Sequence, residues 1–210
     1  MTFCIIPKQT REWIVCLELS EYSEQIYADF SVGTGMCFFS EGQNMNVKKL
    51  EIDRKCFHIV LNEPEIPQNT GNIARTCAAT GTRLHLIEPM GFKISDSAVK
   101  RAGLDYWPLV DLHMYKSFEE FMNENGDKPM YFISTKGKHT HSKLSYEVGA
   151  MFLFGKETAG LGNELLMANY ERTVRIPMLP EERLRSLNLA NSVAVVLYEA
   201  LRQHDYQGMR

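Results

Sequence analysis

Arg185-Ser186-Leu187-Asn188-Leu189-Ala190-Asn191-Ser192-Val193-Ala194-Val195-Val196 joins two kinds of sequence within twelve residues. Its first half is small and polar. Ser186 and Asn188 are residue types that cap a helix start, where backbone N–H groups have no intrahelical partner. Its second half is apolar, and Leu189, Val193, Val196, Leu197, Ala200 and Leu201 follow helical spacing. A polar tip on a shaft that must be buried is the kind of local conflict expected at a binding site. The stretch follows Ile176-Pro177-Met178 and a charged loop, Leu179 to Arg185.

Upstream, strand-like and helix-like segments alternate from Cys56 onwards. Phe57 to Leu61, Leu84 to Glu88, Met130 to Ser134, Met151 to Phe154 and Thr173 to Ile176 are short, apolar and β-rich, as buried parallel strands tend to be. Between them, one helix is expected from Asn69 to a left-handed cap at Gly81, with Asn69 or Thr70 as its N-cap. Others are expected from Asp96 to Gly103, after the capping box Ser117-Phe118-Glu119-Glu120 as far as Gly126, over Glu164 to Asn169, and from about Leu187 to Gln203. The alternation predicts an α/β domain with a mostly parallel sheet. Residues 1–55 show no such period and are expected to be a poorly ordered extension. Glu41-Gly42 can be encoded by a purine-rich stretch of the kind that precedes a start codon, so Met45 is a candidate natural start.

At 210 residues, 44% hydrophobic, the chain has material for one domain with an appendage or two small ones. A formal charge of −3 means that any positive field for nucleic acid must be local. Five scattered cysteines without a Cys-x-x-Cys pair give neither a zinc ribbon nor a disulfide frame, so a reducing, cytoplasmic setting is expected. No apolar run is long enough for a bilayer and no secretory leader is recognisable, so no membrane association is expected. His139 and His141 lack an evident third ligand, and no metal is expected.

Three constellations carry chemistry. In Asn62-Glu63-Pro64-Glu65-Ile66-Pro67-Gln68-Asn69-Thr70-Gly71-Asn72-Ile73-Ala74-Arg75, a strand ends and a helix opens, presenting its N–H groups to an anion. Arg75 reads either as a solvated arginine or as a partner of Asn69 in gripping one ribose-phosphate. In Phe154-Gly155-Lys156-Glu157-Thr158-Ala159-Gly160-Leu161-Gly162, Gly155 allows a ligand close to the backbone and Glu157 brings a carboxylate to the sheet's carboxyl edge. In the third, the backbone of Ile176 and Met178 can hold a flat base or polar tail, beside Ser186 and Asn188. Arg183 and Arg185 lie between them as candidate phosphate contacts or as a solvated loop. Lys136 and Lys138, beside His139 and His141, make a basic loop suited to meeting phosphate rather than a metal. Tyr106-Trp107 is either a stacking platform or packing.

In this order, Ile-Pro-Gln-Asn-Thr-Gly-Asn-Ile-Ala-Arg, Arg-Ala-Gly-Leu-Asp-Tyr-Trp, Phe-Gly-Lys-Glu-Thr-Ala-Gly-Leu and Arg-Ser-Leu-Asn-Leu-Ala-Asn-Ser-Val-Ala resemble the SPOUT superfamily of RNA methyltransferases. The match is close to its bacterial tRNA wobble-position 2′-O-methyltransferase subfamily and covers about residues 56–207. The resemblance implies an α/β sheet with helices on both faces and a C-terminal deep trefoil knot. It implies a homodimer, S-adenosyl-L-methionine as cofactor and the tRNA anticodon stem-loop as partner. Carried over residue by residue, Ile133, Gly155, Ile176, Met178, Ser186 and Leu187 would bind cofactor. Asn69, Arg75, Glu157 and Asn188 would handle the ribose and catalysis. A guanidinium keeps its proton, so Arg75 is expected to clamp rather than to act as a base. The chain departs from the subfamily at Leu161-Gly162, where Leu-Pro is usual, which is expected to loosen the next helix start. It also has a longer loop before Arg185. The other readings of the resemblance are a 2′-O-methyltransferase of ribosomal RNA and a non-catalytic RNA-binding relative.

Overall fold

The computed structural model describes residues 3–7, 13–17, 26–30, 57–94, 107–181 and 183–209. The chain divides into two units, Met1–Leu50 and Glu51–Arg210. In the first, β1 (Phe3–Pro7), β2 (Trp13–Leu17) and β3 (Ile26–Phe30) form an antiparallel meander. The sequence here lacks the strand–helix alternation read from Cys56 onwards, so these strands were not expected. Met45, and the helix expected over Asp96 to Gly103, lie outside the described residues.

The second unit is built on seven strands. They are β4 (His58–Asn62), β5 (Arg83–Ile87), β6 (Leu112–Tyr115), β7 (Met130–Ile133), β8 (His139–Thr140), β9 (Met151–Phe154) and β10 (Thr173–Arg175). Their order is β6-β5-β4-β9-β7-β10-β8, and every pairing is parallel. The central strands are apolar throughout because both faces are covered. Ile59, Leu61, Phe152 and Phe154 point into one core, with Ile73 and Cys77 of α1 (Pro67–Thr80) and Val193, Val196 and Leu197 of α4 (Leu189–Gln203). Val60, Met151 and Leu153 point into the other. There they meet Phe121 of α2 (Phe118–Asn125), with Leu165 and Leu166 of α3 (Asn163–Ala168) packed alongside. Helices thus lie on both faces. Strands β6 and β8 escape the sequence reading because they are sheet edges without an apolar run.

Helix α1 starts earlier than expected. Pro67, with its fixed φ, occupies the first turn, and Ile66 is the N-cap without a side-chain bond. Asn69 and Thr70 therefore lie inside the helix, buried, rather than capping it. Gly81 ends α1 at φ 67°, as anticipated. Ser117 caps α2 by accepting from the Glu120 amide, while the Glu120 carboxylate reaches the Lys116 amide, one residue before the usual reciprocal partner. Gly162 opens α3 at φ −57°, a value proline also adopts, so the departure from Leu-Pro leaves this helix start in place. Among the described residues no helix is long and apolar enough to cross a membrane.

Strand β10 lies between β7 and β8, so the short link over residues 134–138 passes across it. The crossing is tight. A side chain on Gly137 would place its Cβ 2.3 Å from the Val174 carbonyl carbon. The Arg175 guanidinium donates to the carbonyls of Gly137 and Lys138, and the Lys138 amide donates to the Thr173 hydroxyl at 2.9 Å.

The sheet also buries two histidines. His58 Nδ1 lies 2.9 Å from His85 Nε2, and His85 Nδ1 lies 3.1 Å from the Tyr115 hydroxyl. The Asn125 amide donates to that hydroxyl at 3.3 Å. One direction accounts for all three contacts. Asn125 donates to Tyr115, Tyr115 to His85 Nδ1, and His85 Nε2–H to His58, with both rings neutral. Desolvation is the main reason that His58 is held down to about 4, with Lys128, Arg83 and His113 adding repulsion and Asp111 opposing them. Desolvation likewise holds His85 down to about 3, with His58 and His113 the next causes. Both values lie below the unfolded value, so their contribution to stability is complete above pH 6.5 and is lost as pH falls from there toward 4. Urea unfolding at pH 7.5 and 5.0 is expected to differ by about 2 kcal/mol for each ring. His85→Gln, which does not titrate, should remove about half of that difference. A pH-independent midpoint in the wild type would contradict the neutral pair.

Candidate active site

Three neighbouring strands, β9, β7 and β10, end on the same side of the sheet, as parallel strands must. The segments leaving them, with the approach to α4, enclose a cleft of about 830 Å³. In open parallel sheets this carboxyl edge is where ligands bind. Ile133 closes β7, Gly155 follows β9, Ile176 and Met178 follow β10, and Ser186, Leu187 and Asn188 precede α4; all line the cleft. So do Asn69 and Glu157.

Gly155 has an internal reason to be glycine. The turn doubles back, with the Gly160 amide bonded to the Lys156 carbonyl at 2.8 Å. A Cβ on Gly155 would fall 2.0 Å from the Gly160 carbonyl carbon. The close approach predicted at this position is therefore made first by the chain itself.

Glu157 joins the constellations. Its carboxylate accepts from the Glu65 amide at 2.9 Å, the Ile66 amide at 3.3 Å and Asn69 Nδ2 at 2.9 Å. The anion expected at the start of α1 is thus a side chain of the same protein. Asn69 Oδ1 in turn accepts from Asn188 Nδ2 at 3.0 Å, and Asn188 Oδ1 caps α4 by accepting from the amides of Ala190 and Asn191. A carboxylate only accepts, and a helix N-terminus only donates. Between these fixed ends each asparagine has one permitted orientation.

Arg75 is not brought into this group. It lies exposed on α1, off the cleft wall. Six residues on a helix rotate it roughly 240° from Asn69, so the two do not face the same side. Tyr106 lies outside the described residues, and Trp107 packs partly buried against the core with α1 and α4. His141 gives its carbonyl to the Tyr146 hydroxyl at 2.6 Å.

The model of the SpoU rRNA Methylase family matches residues 56–198. The chain belongs to the SpoU methylase family. It is 53% identical over 152 residues to a putative tRNA (cytidine(34)-2′-O)-methyltransferase of Listeria innocua, covering 71% of this chain and 89% of that protein. It is 47% identical over 152 residues to the tRNA (cytidine(34)-2′-O)-methyltransferase of Escherichia coli K12, covering 72% and 96%. Superposition on a solved structure concerned with 2-OH methylation of C/U34 on tRNA gives a TM-score of 0.68 at 46% identity, over 71% of this chain and 97% of that one. The fold is shared with the SpoU methyltransferase AviRb of Streptomyces viridochromogenes, solved in complex with AdoMet (TM-score 0.62, 24% identity, 76% and 65% covered).

In this SpoU methylase the sequence reading missed Glu63, Glu65, Lys156 and Thr158 as partners. Lys156 Nζ lies 2.7 Å from Glu63 Oε2, and Thr158 donates from both its amide and hydroxyl to Glu65. The only sequence signal was their position beside Glu157 and Asn69. The carboxylate's triple acceptance generates an expectation. In Glu157→Gln, a single amide oxygen replaces two acceptors, leaving one donor against an NH₂. Urea unfolding should show a loss of about 1–3 kcal/mol. An unchanged midpoint would remove Glu157 as the keystone of this wall.

Proposed function

We propose that this chain transfers the methyl group of S-adenosyl-L-methionine to the ribose 2′-hydroxyl of the wobble nucleotide, cytidine or a modified uridine at position 34, in the tRNA anticodon stem-loop. The observation that carries this reading is the unbroken chain of hydrogen bonds from Glu157 through Asn69 and Asn188, on the wall of a cleft at the sheet's carboxyl edge. The relatives named for that activity support the choice of tRNA over ribosomal RNA.

The residues present fit the cofactor. The cleft lies within the roughly 300–1,000 Å³ typical of small-molecule sites. Ile133, Ile176, Met178 and Leu187 offer apolar surface to a flat base, Gly155 a bare backbone, and Ser186 a hydroxyl to a polar end. When bound, S-adenosylmethionine supplies a methyl already activated on a sulfonium. What remains for the protein is to align the ribose hydroxyl and to stabilise its oxygen as the proton leaves to phosphate or water. We assign Asn69, Glu157 and Asn188 to alignment and Arg75 to the electrostatic clamp.

Since Arg75 is off the wall of its own chain's cleft, the assignment requires a homodimer in which it serves the partner's cleft. The exposed Val195 and Tyr198 on α4, which packs on α1, offer apolar surface for such a contact. We further infer that the chain is threaded as a deep trefoil knot. The insertion of β10 between β7 and β8, with the tight Gly137 crossing, supports this. Residues 56–210 would form the methyltransferase and 1–55 an appendage, in keeping with relatives that match about 71–73% of the chain. We place this activity in the cytoplasm, and neither a membrane nor a metal enters the reading.

The protein with S-adenosylmethionine and tRNA should yield 2′-O-methylated nucleoside at position 34, read by nuclease digestion and mass spectrometry. Methylation elsewhere, or none, overturns the reading. Arg75→Ala should abolish single-turnover transfer while calorimetry shows unchanged cofactor affinity. Mixing it with Ser186→Ala subunits, at a cofactor concentration too low to load that variant, should restore about a quarter of the wild-type rate, since half of randomly formed dimers hold one complete site of two. No recovery on mixing would deny the arginine to the partner's cleft.

Charge on the cleft generates a second expectation. Lys156 is paired with Glu63, and Arg183 with Glu181. Lys136 and Arg185 line the cleft, and neither has an acidic partner among the described residues. Arg185→Ala should weaken tRNA binding and reduce its salt dependence by about one counterion, whereas Arg183→Ala should change it little. Filter binding across salt concentrations checks this, and equal effects of the two would contradict it.

A further inference from the structure

Residues 62–66 and 156–158 are held together by more than Glu157. The exchange is reciprocal. The Glu65 amide donates to the Glu157 carboxylate at 2.9 Å, while the Glu65 carboxylate accepts from the Thr158 amide and hydroxyl, each at 3.0 Å. Two residues before each member of that pair, Lys156 Nζ meets Glu63 Oε2 at 2.7 Å. Glu63 needs holding. Its φ of 53° is left-handed, unfavourable for a residue with a side chain. Besides the lysine, the bond from its amide to the Ile87 carbonyl at 3.0 Å secures it. The loop before α1 is therefore bent against its preference and latched to the glycine turn after β9.

The latch bears on the site through one atom group. Glu157 sits between Lys156 and Thr158, and its carboxylate sets the direction of the Asn69 amide. Without the flanking pairs, the Glu157 backbone is free to shift relative to Asn69, and the asparagine orientations lose their fixed end. Glu65 itself does not line the cleft; Thr158 does, but its amide and hydroxyl are both donated to the Glu65 carboxylate.

Resting on the proposed methyl transfer, we propose that Glu65 and Thr158 are a positioning pair. They act through Glu157 to fix the Asn69–Asn188 amides for the transfer step; Glu65 touches neither cofactor nor RNA, and the donors of Thr158 are spent on Glu65. The Thr158 bonds also hold the Glu65 carboxyl below the usual carboxylate range, so the pair stays intact through neutral pH.

Single-turnover transfer, cofactor affinity by calorimetry and tRNA affinity by filter binding separate this role from a structural one. Glu65→Ala is expected to slow transfer about 10–100-fold, the range for a small misplacement of reacting groups. Both affinities should stay within about twofold. Thr158→Ser, which keeps the hydroxyl, should restore the wild-type rate, and Thr158→Val should not. The double variant Glu65→Ala/Thr158→Val should be no slower than Glu65→Ala alone, because the two residues act as one unit. Glu65→Gln, which keeps an acceptor, should fall between wild type and Glu65→Ala and serves where the alanine variant fails to fold. A wild-type rate in Glu65→Ala, multiplicative losses in the double variant, or a loss that follows cofactor affinity would each overturn the proposal. Should the wild type not methylate tRNA, the proposed function fails first. Hydrogen exchange of the Asn69 side-chain amide then decides the coupling by itself, with faster exchange in Glu65→Ala supporting it and unchanged exchange refuting it.

Discussion

The Glu157 carboxylate is the constraint on which the rest of the site depends. It draws together two backbone amides before α1 and the amide of Asn69, groups about ninety positions away in the chain. Hydrogen bonds to a charged acceptor are stronger than neutral ones, and this one also faces the positive end of a helix. Because the carboxylate accepts only, polarity propagates outward from it. Asn69 must turn its NH₂ toward Glu157 and its oxygen toward Asn188, which leaves Asn188 its own oxygen for the α4 cap. Two helix starts on different parts of the chain are thereby set by one charge.

That network works because the sheet delivers its parts to one place. Strands β9, β7 and β10 are consecutive in the sheet, so their carboxyl ends present Gly155, Ile133 and Ile176 side by side. Parallel pairing makes this unavoidable, since every strand ends on the same edge. Two glycines permit the required density. At Gly155 the turn folds onto itself, and at Gly137 the 134–138 link crosses β10. In both places a methyl group would collide with backbone, which cannot yield as a flexible side chain can.

The parts of the fold legible in the sequence were those governed by local chemistry. Central strands such as Met151–Phe154 announce themselves because burial on both faces demands an unbroken apolar run. Gly81 and Ser117 do so because helix ends require particular residues. The residues of the site were legible as types at a spacing, but their connections were not. The bonds Glu65–Thr158 and Asn69–Asn188 join positions 93 and 119 apart, and nothing local distinguishes them from solvated side chains. The start of α1 was misplaced because Asn69 is a good cap by type, yet Pro67 begins the helix earlier and frees Asn69 for the network. The His58–His85–Tyr115 chain was hidden because it runs across three strands, from β4 through β5 to Tyr115 on the edge strand β6, which has no apolar run to announce it.

The chemistry open to the cleft follows from what lines it. Among the described residues no histidine does; His58 at the start of β4 and His85 in the middle of β5 are held neutral by burial. Glu157 has its oxygens occupied by three donors, and Lys156 is paired. A guanidinium does not give up its proton at physiological pH. Among the described residues the wall therefore carries no imidazole and no carboxylate left without donors, and under the proposed reaction that is consistent with a donor whose leaving group is already activated. Alignment can supply on the order of 7–11 kcal/mol at best, and fixed donors beside a developing oxyanion can add a few more. A site that spends its polar groups on orienting one another is suited to that division of labour. The rigid chain from Glu157 to α4 holds the geometry, and the proton departs through the substrate or solvent.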